Sequence, residues 1–162
     1  MVNYSDSVDT NAKPQQPTMK NNAFRAYLEN KILTATPEQL QLMLYEGAIR
    51  FAQLARNALE ERDFEKAHNA FERVDAIMCE LHTGLRPDQD PELCDKFASL
   101  YNFCIRKLLE ANYTHTVEPI NDAMSILQHL RETWVMVLEK ITEDRALEAQ
   151  QEAAVIEDAV AV

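Results

Sequence analysis

Glycine is nearly missing from this chain: only Gly47 and Gly84 occur among 162 residues. Phosphate-cradling loops need glycines close together so that backbone amides can converge on one anion. Two isolated glycines make nucleotide binding unexpected. Positive charge is also scarce, with 16 Lys and Arg against 27 Asp and Glu and a formal net charge of -11. Nucleic-acid and anionic-membrane surfaces need clustered cations to replace counterions, so the balance points to a protein partner. No apolar run approaches the roughly 20 residues of a membrane span, and the polar N-terminal stretch has no signal-peptide hydrophobic region. A cytoplasmic protein is expected.

Cysteine is too sparse for a framework. Cys79, Cys94 and Cys104 are odd in number and include no C-x-x-C pair, which suggests neither disulfides nor a zinc site; they read as small core residues. A di-iron bundle would need two Glu-x-x-His pairs and two further inward carboxylates. The chain has one such pair, Glu65 and His68, and His68 falls about 120° from the centre of the neighbouring apolar stripe at the helical period. His82, His115 and His129 fall near helix ends or on polar faces. No cofactor or metal is expected, and no nucleophile, base and orienter set stands out, so no enzyme activity is expected either.

What the chain does contain is strong helix punctuation. Thr36 can cap a first turn, Pro37 suits the first helical position and Gln39 can complete a capping box. This predicts a first long helix over about 37–61. Asp63 opens a second over about 64–82, ended by Gly84. Asp90 and Pro91 open a third that runs to about residue 112, and Glu118 with Pro119 a fourth. Strand patterns are absent. The fold class is therefore all-α, an antiparallel four-helix bundle over 23–141 that includes a short N-terminal cap segment at 23–33. Residues 1–22 are polar and read as a flexible tail. Residues 142–162 form an acidic C-terminal extension with a weak apolar stripe that can continue the last helix.

In the first long helix, Leu40, Leu44, Gly47, Phe51, Ala55 and Ala58 share one face and read as the core stripe. Leu42, Tyr45, Ile49 and Ala52 form a second apolar arc roughly 140° to 180° away. In the third helix, Tyr101, Ile105 and Leu109 widen an inner stripe of Leu93, Phe97, Leu100, Cys104, Leu108 and Ala111. Two helices with surplus apolar width imply a groove for a guest segment, a second copy, or further cover from the chain itself. Phe24, Tyr27, Leu28, Ile32 and Leu33 add a short apolar segment that needs a surface to lie on.

Thr34 to Ala48, reading T-A-T-P-E-Q-L-Q-L-M-L-Y-E-G-A, resembles the signature of the flagellin export chaperones, the FliS family. Two further blocks agree in order and approximate spacing, Leu100 to Asn112 (L-Y-N-F-C-I-R-K-L-L-E-A-N) and Leu130 to Trp134 (L-R-E-T-W). The resemblance covers about Phe24 to Ile141. It implies a chaperone that binds the C-terminal segment of flagellin and prevents premature polymerisation before type III export and flagellum assembly. It also implies that Phe24 and Tyr27 belong to a cap displaced by cargo. Leu42, Tyr45 and Ile49 with Tyr101 and Ile105 are the expected partner-binding residues in the bundle. The flagellar export gate and other flagellar regulators are further partners compatible with the resemblance. The rival readings are a helical homodimeric adaptor or regulatory protein without flagellin cargo, and an enzyme with a buried carboxylate site.

Overall fold

The computed structural model describes residues 19–160, which form five α-helices: α1 (Met19–Thr34), α2 (Pro37–Glu60), α3 (Phe64–Thr83), α4 (Pro91–Thr114) and α5 (Glu118–Val160). Of the predicted tail, residues 1–18 lie outside the described residues, and 19–22 form the first turn of α1. The chain divides after Ala35 into a first unit containing α1 and a second containing the other four helices. Within the first unit, Thr34 Oγ1 donates to the Asn30 carbonyl at 2.9 Å in the last turn of α1.

The predicted caps set the helix starts. The Thr36 amide donates to Gln39 Oε1 at 3.0 Å while the Gln39 amide donates to Thr36 Oγ1 at 3.3 Å, so donors at the start of α2 are satisfied reciprocally. Asp63 accepts from the Lys66 amide and Asp90 from the Leu93 amide, each at 3.0 Å. The tight link from α2 to α3 places Arg62 at φ 60, and α4 ends on His115 at φ 55, so among the described residues the two left-handed positions fall on non-glycine residues. Gly84 ends α3 in an ordinary right-handed conformation.

In the second unit α2 packs against α3 and α5, and α4 packs against the same two helices, closing a ring of four. The core is narrow where α2 contributes Ala48, Ala52, Ala55 and Ala58, all fully buried. Phe71, Val74, Met78 and Leu81 of α3 and Ile120, Ala123, Leu127 and Leu130 of α5 fill the space opposite. Small side chains on one helix let bulky ones on its neighbours interdigitate at crystal-like density. Gly47 serves the same purpose on the α3 side, where an added Cβ would stand 3.2 Å from Ile77 Cδ1.

The structure corrects the assignment of α2's faces. Tyr45 and Ala52, placed by the sequence on the spare arc, are fully buried. Leu40, Leu44, Gly47 and Phe51, placed in the core stripe, are only half-buried, as are Leu42 and Ile49. The reason is that α2 has two neighbours, so apolar residues on two sides are covered within the chain and do not by themselves imply a guest. Of the three cysteines read as core residues, Cys104 is buried as expected, while Cys94 is half-buried and Cys79 is exposed, which corrects the reading for that residue.

The last helix runs 43 residues without a break. At about 1.5 Å per residue it is roughly 65 Å long, against about 36 Å for the 24 residues of α2. Leu138 and Ile141 are its last half-buried residues.

Candidate functional site: an apolar groove between two helices

Two parts of the bundle bear on the predicted binding residues. In the first, Gln41 and Tyr45 of α2 face Tyr101 of α4. The two tyrosine hydroxyls lie 2.7 Å apart, and Gln41 Nε2 donates to them at 3.3 and 3.4 Å. Burial pushes the ionisation of both phenols upward, so they stay neutral. Trp134 of α5 stands edge-on to Tyr45, with ring centroids 6.4 Å apart, and donates its indole N–H to the Glu38 carbonyl at 2.8 Å. Tyr45 and Tyr101 are 1% and 0% exposed and hold the core together. Both residues nevertheless line the inner wall of a hollow of about 260 Å³ whose rim is formed by Leu93, Phe97 and Trp134. Their hydroxyls satisfy each other across the bundle, which no pattern of apolar spacing reveals.

The second part is a groove between α3 and α4, a cavity of about 180 Å³ lined by His68, Phe71, Glu72, Asp75, Ile105, Leu108, Leu109 and Asn112. Phe71 and Leu108 are buried and form its floor, Ile105 is half-buried, and Leu109 is 59% exposed. One end is closed by Asn112 Nδ2 at 3.3 Å from His68 Nδ1, while His68 Nε2 lies 3.5 Å from a carboxylate oxygen of Glu72. The groove thus has an apolar floor and an acidic edge made by Glu72 and Asp75. Ile105 is the one predicted binding residue that lines it. Leu109 was legible as part of the surplus width of α4, one turn beyond Ile105, whereas Phe71 and Glu72 come from another helix and carried no signal of their own.

The remaining predicted residues are dispersed. Ile49 lines a separate hollow between α2 and α5 with Glu46, Arg50, Gln128, Arg131 and Glu132, spanned by an Arg131–Glu46 ion pair at 3.3 Å. Leu42 is half-buried. Phe24 and Tyr27 lie on α1, both exposed. Among the described residues no group of three His, Cys, Asp or Glu side chains could hold a metal ion, and no helix is long and apolar enough to cross a membrane. What the arrangement offers is apolar surface.

The family model described as Flagellar protein FliS matches residues 19–141. The chain belongs to the FliS family. A FliS relative from Bacillus subtilis (strain 168), named flagellar secretion chaperone, is 29% identical over 124 residues, covering 76% of this chain and 92% of the relative. The flagellar secretion chaperone FliS of Campylobacter jejuni is 32% identical over 117 residues, covering 72% and 91% of the two chains. A crystal structure of a bacterial flagellar chaperone shares the fold with a TM-score of 0.61 at 24% identity, covering 75% of this chain and 98% of its own. The FliS match ends where the last half-buried residue of α5 lies, so the rest of that helix stands outside the shared family region.

Proposed function

We propose that this FliS-family protein is a flagellar secretion chaperone that holds the C-terminal segment of flagellin in the cytoplasm, prevents its premature polymerisation and delivers it to type III export. The observation that carries the reading is the groove between α3 and α4, where a half-exposed leucine and a half-buried isoleucine stand over a buried apolar floor inside the family-matched region. A segment without a fold of its own would order as a helix against that floor, apolar burial offsetting the cost of ordering. The names of the relatives, flagellar secretion chaperones, support the same role. On this reading Ile105 and Leu109 take the cargo in the groove, Leu42 and Ile49 of α2 offer contacts apart from it, and Phe24 and Tyr27 compete with cargo. The protein acts by binding and needs no catalytic group or cofactor.

The test is calorimetric titration of the full chain with the last roughly 40 residues of flagellin from the same organism, a length suited to an interface of standard size. Saturable binding with a negative heat-capacity change is the expected result. Ile105→Glu and Leu109→Glu should weaken it while helix content is kept. Absence of binding both by the full chain and by a chain starting at residue 29 would sink the proposal. Dimerisation on increasing concentration without any flagellin binding would favour the adaptor reading instead.

A further inference from the structure

Among the described residues, nothing packs closely on the C-terminal part of α5. From residue 142 onward every position whose burial is described is exposed, and Leu147, Val155, Ile156 and Val160 are 56%, 68%, 63% and 80% accessible. Arg145, bonded to Glu38 at 3.1 Å, is the last residue of α5 in an ion pair with the bundle among the described residues. A helix of some fifteen residues without tertiary packing is marginal in water, and this one has no basic residue in its last turn to favour the helix dipole. Its stability as a helix calls for cover.

The sequence says what kind of cover fits. Thr142, Ala146, Ala149, Ala153, Ile156 and Val160 recur at alternating spacings of four and three and lie within about 80° of one another around the helix. The positions beside this seam are mainly acidic, with Glu143, Glu152 and Glu157 against Arg145. Over 142–162 six acids stand against one base. A second copy would set these acids against their equivalents, which costs free energy at flanking positions of paired helices. An anionic lipid surface is disfavoured by the same charge.

We propose that the α5 extension is a docking helix for a Lys- and Arg-flanked amphipathic helix of a partner protein, the apolar seam burying the partner's apolar face and Glu143, Glu152 and Glu157 pairing with its basic flanks. The interface spans about five turns of one helix, which places it in the small, transient class. This surface lies outside the family-matched residues and is independent of the groove between α3 and α4.

The experiment titrates the full chain with three synthetic helical peptides of about three heptads. The first carries leucine at the seam and lysine beside it, the second leucine with glutamate, and the third serine with lysine. The lysine–leucine peptide should bind, and the other two should not. Ala153→Asp with Ile156→Asp should abolish binding. Glu152→Lys with Glu157→Lys should lower affinity for the lysine–leucine peptide at least about fivefold, the scale of two lost exposed ion pairs, and create affinity for the glutamate–leucine peptide. Circular dichroism would confirm that both variants keep the bundle. Equal binding of the serine–lysine peptide, or retained binding by the seam variant, would overturn the proposal by showing unspecific charge attraction. A concentration-dependent dimer abolished by the seam variant would overturn it in favour of a second copy.

Discussion

The hydroxyls of Tyr45 and Tyr101 meet at 2.7 Å although the residues lie 56 positions apart. They join α2 to α4, which are diagonal rather than adjacent in the ring of four helices. A bond across the diagonal fixes the separation and relative height of two helices that are not neighbours in the ring. Gln41 reaches both oxygens and closes the cluster.

Because each hydroxyl is buried and shared, Tyr45→Phe and Tyr101→Phe should each cost about 1 kcal/mol, the low end for a buried group that loses one of its partners. The double variant should cost clearly less than the sum of the two, since the second change removes a group already left short. Urea denaturation of all four proteins supplies the cycle, and strict additivity would mean the pair is not coupled. Tyr45→Glu should abolish folding, since a carboxylate would stand where the side chain is 1% exposed.

At Gly47 the only close neighbour of an added Cβ is the flexible end of Ile77, 3.2 Å away. Gly47→Ala should therefore be neutral or stabilising by up to about 1 kcal/mol, the helix-propensity gain of alanine over glycine, because Ile77 needs to give only a few tenths of an ångström. Gly47→Leu should destabilise by about 1 to 3 kcal/mol through overpacking against α3. Thermal unfolding distinguishes a packing glycine of this kind from one needed for backbone freedom, at which alanine would also be harmful.

The three thiols should react in order of their exposure. Cys79 is open to solvent and should be labelled first by a thiol reagent, with Cys94 slower. Cys104 is buried with its ionisation pushed up to about 12 by desolvation, and its Sγ lies 3.7 Å from the Ala123 carbonyl. It should react only on unfolding, because the thiolate is the reactive form. Mass spectrometry of timed samples reads the order, and early modification of Cys104 would contradict the packing of α4 on α5.

Glu38 is held below the ordinary carboxylate range, first by the Thr36 side chain, then by its own backbone amide and by Arg145, with burial opposing. A lowered folded-state value means that its stabilising contribution is present above the unfolded value and is lost as pH falls through the folded one. The gap in melting temperature between the protein and Glu38→Gln should accordingly shrink between about pH 6 and about pH 3. A gap independent of pH would show that the carboxylate charge contributes nothing at this helix start.

The helix boundaries were legible because their causes are local. Thr36 with Gln39, Asp63 and Asp90 each satisfy a donor three residues away, so the cap and the helix it starts are contained in a few consecutive side chains. The motifs from Thr34 to Ala48 and from Leu100 to Asn112 pointed to the family for the same reason. The face of α2 was not legible. Periodicity reports that Leu44 and Tyr45 lie on different sides of a helix, but which side is covered depends on α3 and α5, whose residues arrive only from Phe64 onward in α3 and from Glu118 onward in α5.

The sequence by itself thus determined the local order of four helices with an apolar segment before them, a strongly acidic composition and membership of the FliS family. Only the tertiary structure decided that Tyr45 and Tyr101 face each other in the core, that the groove takes its floor from Phe71 and Leu108, and that Cys79 faces water. Caps and propensities act over one turn, whereas burial is a property of every helix that arrives at the same place.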